Sequence, residues 1–202
     1  MSATSVPFNP AATTNLAGLF SVQAAGLFQG VFLDDPAVRY QMNGGVLAST
    51  ESLPMWGGVG IYEDIPVGGF NALGSTVGRA ADFAHLTGFS VFNQEGGWIN
   101  SPQSPVPVGL LGGQVNFFRF GSNAKIVVAC DPALASLDAG LITQQVSWDY
   151  TNQKLIAYDS AHALPVKVLS IQTSGCKTVS YDGTSGNATW ANSANACAII
   201  QL

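Results

Sequence analysis

Apolar residues along this chain come in short runs separated by glycine, proline and aspartate. FAHLTGFSVF (Phe83 to Phe92) and VNFFRF (Val115 to Phe120) combine aromatic and β-branched residues and are predicted to be strands. Pro102, Pro105 and Pro107 mark a loop or an edge between them. AKIVVAC (Ala124 to Cys130) is apolar on both faces, which predicts a central strand buried on both sides and ended by Asp131-Pro132. LPVKVLSI (Leu164 to Ile171) and ACAIIQL (Ala196 to Leu202) read as further strands, the second closing the body. From Leu16 to Leu33 the apolar positions fit helical and alternating spacing equally, so a short helix and buried strands both stay open.

Turn chemistry fills the gaps. Asp34-Asp35-Pro36 stops what precedes it, and Asn43-Gly44-Gly45 predicts a turn where positive φ costs little. A turn-rich tract runs from Pro54 to Gly60. Beyond it, up to Gly78, short apolar pieces (Val59 to Tyr62, Ile65 to Val67) alternate with glycine pairs. Ser122-Asn123 is a further turn. The clearest pattern is an internal echo, in which Val146-Ser147-Trp148-Asp149-Tyr150-Thr151 returns as Val179-Ser180-Tyr181-Asp182-Gly183-Thr184. Each copy reads as strand, Asp-capped turn, strand, with Tyr158 and Trp190 as cross-strand partners of the aromatics. The two copies predict two stacked hairpins with LPVKVLSI between them.

With 23 glycines and 10 prolines, punctuation is too frequent for long helices, and the chain is expected to be all-β. Residues 1–15 (MSATSVPFNPAATTN) are small, polar and proline-marked, as expected of an extended arm. The expected division is an N-terminal arm and interface segment over 1–45 and a β body over 46–202, with a C-terminal hairpin region from about 160.

Charge changes the picture. Only 9% of residues are charged, against about a quarter in ordinary soluble domains. A surface so poor in charge suits an obligate assembly, in which uncharged contact replaces solvation. The formal net charge of −5 has the wrong sign for gripping nucleic acid, and the basic residues Arg39, Arg79, Arg119, Lys125, Lys154, Lys167 and Lys177 are scattered. No polybasic membrane anchor is visible. Gln23 and Gln29, Gly18, Gly26 and Gly30, and the lack of basic flanks argue against a membrane helix over Leu16 to Leu33. The first basic residue is Arg39, so no secretory signal is expected and folding in the cytoplasm is the simpler reading.

Candidate chemistry is sparse. Cys130, Cys176 and Cys197 have no metal-ligand spacing and are expected to be buried free thiols, a Cys176 to Cys197 bridge being the alternative. His85, in an aromatic strand, and His162, in a turn, are expected to be satisfied structural or surface histidines and not general bases. The adjacent carboxylates Asp34-Asp35 and Glu63-Asp64 point to opposite faces of extended backbone and do not converge. Gly57-Gly58-Val59-Gly60 and Gly68-Gly69 lack the GK[ST] of a phosphate loop, and no H-x-H, HExxH or GxSxG pattern occurs. Asn187-Ala188-Thr189 matches a glycosylation sequon. Trp56 and Trp98, flanked by glycine, are candidate interface anchors or, in a carbohydrate-binding or hydrolytic β domain, a sugar platform. No residue is singled out as catalytic, cofactor-binding or metal-binding, and no cofactor is expected.

The stretch GSNAKIVVACDPALASLDAGLITQQVSWDYTNQKLIAYDS (Gly121 to Ser160), followed by ALPVKVLSIQTSGCKTVSYDGTSGNATW (Ala163 to Trp190), resembles the cement or head-decoration proteins of tailed bacteriophages. The resemblance lies in the order of segments: a central strand, an Asp-Pro step, a segment ending in Ala-Gly, then the Asp-turn hairpin. It spans roughly residues 60 to 202. It implies a β-barrel or β-sandwich body with an extended N-terminal arm, docked on the capsid surface and carrying no catalytic residue. The implied partners are the major capsid protein and further copies of the chain, as a dimer or trimer, with no direct nucleic acid or membrane contact. The implied place is the virion, after synthesis in host cytoplasm; a tail or fibre module is the alternative virion role.

Overall fold

A computed structural model describes residues 27–33, 36–65, 74–92, 105–137, 143–191 and 196–202. The described chain is nearly all β. In order it forms β1 (Phe32–Leu33), a single helical turn at Pro36–Arg39, β2 (Asn43–Leu47), β3 (Gly60–Asp64), β4 (Ser75–Arg79), β5 (Gly88–Val91) and β6 (Gln114–Arg119). There follow β7 (Lys125–Cys130), a 3-10 turn at Pro132–Leu137, β8 (Val146–Asp149), β9 (Lys154–Ala157), β10 (Lys167–Gln172), β11 (Thr178–Asp182), β12 (Asn187–Ala191) and β13 (Ala196–Gln201).

Two bodies share one wall. The first is a closed barrel in the order β2-β4-β3-β5-β6, with β2 parallel to β4 (Val46 opposite Thr76) and antiparallel to β6 (Gly44 opposite Asn116). Closure removes the exposed sheet edges that invite misassembly. The second is a sheet in the order β10-β13-β7-β9-β8, with β1 paired to β7. A separate two-stranded hairpin, β11-β12, packs against Trp56, Phe92, Val106 and Val108.

Consecutive residues serving different cores explain the aromatic density of β6. Phe117 points into the barrel with Leu47, Met55, Ile61 and Val77. Phe118 points out, into the main core with Phe89, Ile126, Trp148, Leu155 and Ile200, because side chains alternate along a strand. Phe89 meets Trp148 edge to face, with ring centroids 4.8 Å apart. Each such side chain contributes about 1.5–3 kcal/mol by leaving water.

Strand β7 is the central strand that its sequence predicts. Ile126 and Val128 enter the main core, while Val127 enters a different cluster on the opposite face, with Cys176 and Cys197. Its neighbour β13 pairs along its whole length, from Ala196 opposite Cys130 to Gln201 opposite Lys125. The turn at Ser122-Asn123 is present, with Asn123 at φ 59°, a conformation asparagine tolerates.

Several local expectations are corrected. Asn43-Gly44-Gly45 is not a turn but the start of β2, paired on both sides. A Cβ at Gly45 would lie 2.7 Å from Val77 Cγ1, so the glycine admits close packing at the barrel wall. The strand expected from Phe83 is confined to Gly88–Val91; before it, Asp82 Oδ1 accepts from His85 N at 3.0 Å and holds a turn. The echo makes two hairpins, but in different sheets: β8-β9 belongs to the large sheet and β11-β12 stands alone. Trp148 pairs with Leu155 and not Tyr158, and Tyr181 with Ala188, because both turns have the same length (150–153 and 183–186); Trp190 faces Val179.

The boundary expected at 45 falls inside β2, and the chain joins the body earlier still. Phe28 is buried against Trp190, and β1 pairs with β7. Here two backbone segments cross: a Cβ at Gly30, whose φ is +86°, would lie 2.4 Å from Gly57 Cα. Of the Gly57-Gly58-Val59-Gly60 tract, Gly57 therefore serves close packing. The arm over 1–15, together with Asp34-Asp35, Gly68-Gly69 and Trp98, lies outside the described residues. Among the described residues no helix is long and apolar enough to cross a membrane.

Candidate functional site

A concavity lies where the barrel, the sheet and the β11-β12 hairpin meet. It is a cleft of about 270 Å³ whose walls include Trp56, Cys130, Pro132, Asn152, Lys154 and Val179. Two buried amides hold its floor. Gln153 Oε1 accepts from Gly60 N at 3.1 Å and Trp148 Nε1 at 3.2 Å, and its Nε2 donates to Tyr150 O at 2.8 Å. Gln29 Oε1 accepts from Val179 N at 3.0 Å, and its Nε2 reaches Gly58 O at 3.4 Å. Both amides are spent on joining strands, as buried polar groups must be.

The charged and reactive groups of the cleft are similarly engaged. Lys154 Nζ pairs with Asp131 Oδ2 at 3.3 Å. Burial pushes the Cys130 thiol up to about 12, so it stays protonated and a poor nucleophile at neutral pH. Trp56 carries the Arg79 guanidinium 4.7 Å from its ring centroid and stacks on Tyr181 at 5.8 Å and 26°. Its π surface is used by two internal partners. Trp98, the other candidate platform, is not among the described residues.

Both histidines sit on one side of the molecule, each in an aspartate-capped turn. His85 Nδ1 lies 2.7 Å from Asp82 Oδ1, and His162 Nδ1 lies 3.2 Å from Asp159 Oδ2. The Phe83 ring joins the two turns, 5.2 Å from His162. Ser147 Oγ lies 2.8 Å from His162 O and 3.1 Å from Asp159 Oδ1 and accepts from Asp159 N. The residue types of a nucleophilic triad therefore meet, but the serine contacts the histidine backbone and the carboxylate, not the imidazole. That wiring positions a turn.

The aspartates form a consistent set. Asp149 Oδ1 accepts from Thr151 N and Asn152 N, Asp182 Oδ1 from Thr184 N, Asp131 Oδ1 from Ala133 N, and Asp159 Oδ1 from Ala161 N and His162 N. The backbone donors from His162 and Ala161 hold the Asp159 carboxyl far below the usual range. Tyr150 OH is the one buried side-chain polar atom without a partner among the described residues, and burial pushes its pKa up to about 12.

Glu63 and Asp64 diverge as the strand pattern predicts. Glu63 is held by Arg119 through Nε at 2.6 Å and Nη2 at 2.7 Å and by Ser75 Oγ at 2.5 Å. The Arg119 hydrogen bond lowers its pKa against the opposing effect of burial. Asp64 is exposed. The sequon residue Asn187 lies in β12 opposite Asp182. All three cysteines are buried free thiols.

Among the described residues no group of three or more His, Cys, Asp or Glu side chains could hold a metal ion. Sequence reasoning missed the buried cation Arg79 and the two amides Gln29 and Gln153. The only available signal was a lone polar residue inside an apolar context, such as Gln29 in LFQGVF. Comparison with known proteins finds no matching family model, no matching curated protein and no matching solved structure.

Proposed function

We propose that the chain is a non-enzymatic structural protein of a tailed-bacteriophage virion, a cement protein that binds and stabilises the major capsid lattice. The observation that carries this reading is the kind of surface the fold leaves. The chain has few charges, and large apolar side chains stand in solvent: Tyr40 is 93% exposed, Ile65 59% and Leu111 54%. Isolated apolar residues are normal on a monomer, but a charge-poor surface carrying them suits many weak contacts repeated by symmetry. The aspartates that could have served catalysis cap turns instead. The segment resemblance described above adds the identity of the lattice.

The protein would act as a dimer or trimer, on the outside of the shell, without touching nucleic acid. Cosedimentation with undecorated phage heads tests this: saturable binding at a fixed ratio to the major capsid protein is expected, and no binding overturns it. A tail or fibre module would instead give elongated trimers or rings in the absence of capsid protein. The second class, a carbohydrate-binding or hydrolytic β domain, would need an open aromatic platform, and Trp56, which lines the cleft of about 270 Å³, already carries Arg79 and Tyr181. Glycan titration distinguishes it, because a cement protein shows no binding at millimolar sugar.

A further inference from the structure

The cysteines are not equivalent. Cys130 pairs with Ala196 across β7 and β13, and Cys197 pairs with Ala129. Strand alternation therefore sends them to opposite faces of the sheet. Cys130 joins the main core; Cys197 joins the cluster with Val127 and Cys176. In the β10-β13 ladder Cys197 stands opposite Gln172, the last residue of β10. The chain then turns, with Gly175 at φ 72°, and brings Cys176 back so that its Sγ donates to Gln172 O at 2.9 Å. Its sulphur is thus held at the carbonyl of the residue that stands opposite Cys197, and both cysteines lie in one buried cluster with Val127.

We propose that Cys176 and Cys197 are a redox pair that closes to a reversible intrachain disulfide when the protein meets a peroxide. The Cys176 thiolate attacks one peroxide oxygen and breaks the O–O bond, giving a sulfenic acid and one water after protonation. The Cys197 sulphur then attacks the Cys176 sulphur, its proton leaving with the hydroxyl as a second water. In sum, two thiols and one hydrogen peroxide become one disulfide and two waters. The thiols lose two electrons and the peroxide gains them. Cys176 is the attacking group, since it is the less buried of the two, 3% exposed against 0% for Cys197, and the neighbouring Cys197 thiol favours its thiolate form.

The position of the pair gives the bond its consequence. Cys176 precedes β11 and Cys197 follows β12, so the disulfide encloses the whole hairpin in a covalent loop. That hairpin is a separate sheet, tied to the rest by the Phe28–Lys177 bridge, the Gln29 amide and aromatic contacts such as Phe92–Trp190. Oxidation would fasten its two ends to β13, the strand beside the central β7. Cys130, on the other face, is left out.

The test uses the full chain, reduced and then exposed to hydrogen peroxide. Thiols counted in denaturant should fall from three to one, a peptide map should join Cys176 to Cys197, and a thiol reductant should restore all three. Cys130→Ala should still form the link; Cys176→Ala and Cys197→Ala should not. Amide exchange across residues 178–191 should slow about tenfold on oxidation, since opening of the hairpin is then restrained. Three thiols persisting, oxygen added to Cys176 without a link, a link between chains, or unchanged exchange in the linked protein would each overturn the proposal. The map on the unmodified sequence decides the matter even if a cysteine variant fails to fold.

Discussion

Arg79 lies over Trp56, its guanidinium carbon 4.7 Å from the ring centroid, and this contact links the barrel to the hairpin beside it. The same guanidinium meets Glu51 Oε2 at 3.2 Å and donates to Leu53 O and Pro54 O, at 3.2 and 2.6 Å. Trp56 passes the connection on to Tyr181 in β11. A tryptophan that sequence alone offers as an interface anchor is thus an internal strut, held by a cation that burial would otherwise destabilise.

Removing that cation should be costly. Arg79→Met leaves Glu51, whose side chain is 14% exposed, with the backbone donor at position 79 but without its cation, and about 3–5 kcal/mol of stability should be lost in urea unfolding. Combining Arg79→Met with Glu51→Gln should recover part of the loss. A double variant no better than the sum of the single ones would contradict the pairing.

The crossing at Gly30 and Gly57 predicts a contrast between glycines of similar backbone. Gly30→Ala forces a Cβ to within 2.4 Å of Gly57 Cα at φ +86° and should cost upwards of about 3 kcal/mol. Gly112→Ala, at φ +71° with open space around it, should cost only about 1 kcal/mol. Thermal unfolding of the two variants side by side reads the difference.

Tyr150→Phe should be neutral or stabilise the protein by up to about 1 kcal/mol, because it deletes a buried hydroxyl that has no partner among the described residues. A destabilisation of 2 kcal/mol or more, on the scale of about 1–3 kcal/mol for an orphaned polar group, would mean that the hydroxyl is satisfied after all.

Acid stability should follow the turn-capping aspartates. Backbone hydrogen bonds from His162 and Ala161 depress the Asp159 pKa in the folded state below its unfolded value, so its contribution is complete above the unfolded carboxyl value of about 4 and fades as pH falls further. Asp182, lowered by Ser185 and Thr184, acts in the same sense. The unfolding midpoint should therefore be flat from pH 7 to about 5 and fall below about 4. Asp159→Asn should flatten that fall; an unchanged acid slope would remove Asp159 from the account.

What could be read from sequence depended on whether neighbours in the chain or neighbours in space set the outcome. AKIVVAC announces a doubly buried strand because each of its faces is apolar, and Ile126 and Val127 do enter different cores. The Asp149 and Asp182 turns were legible because an aspartate caps residues only two or three positions ahead. Asn43-Gly44-Gly45 misleads since the same glycines that favour turns also admit close contact, here with Val77 across a barrel wall closed by distant strands. His85 misleads similarly, the capping carboxylate of Asp82 overriding the β-propensity of its aromatic neighbours. The buried amides and Arg79 were illegible, because their partners lie far along the chain: Gln29 bonds Val179, and Gln153 bonds Gly60.

The most direct measurement of the central claim is imaging of undecorated phage heads mixed with the purified full chain, beside a mass measurement of the protein alone. The proposed cement role predicts added density at regular points of the outer capsid lattice and a dimer or trimer in solution. Bare heads beside a protein that stays in solution, whether as a monomer or as discrete rings, would contradict it.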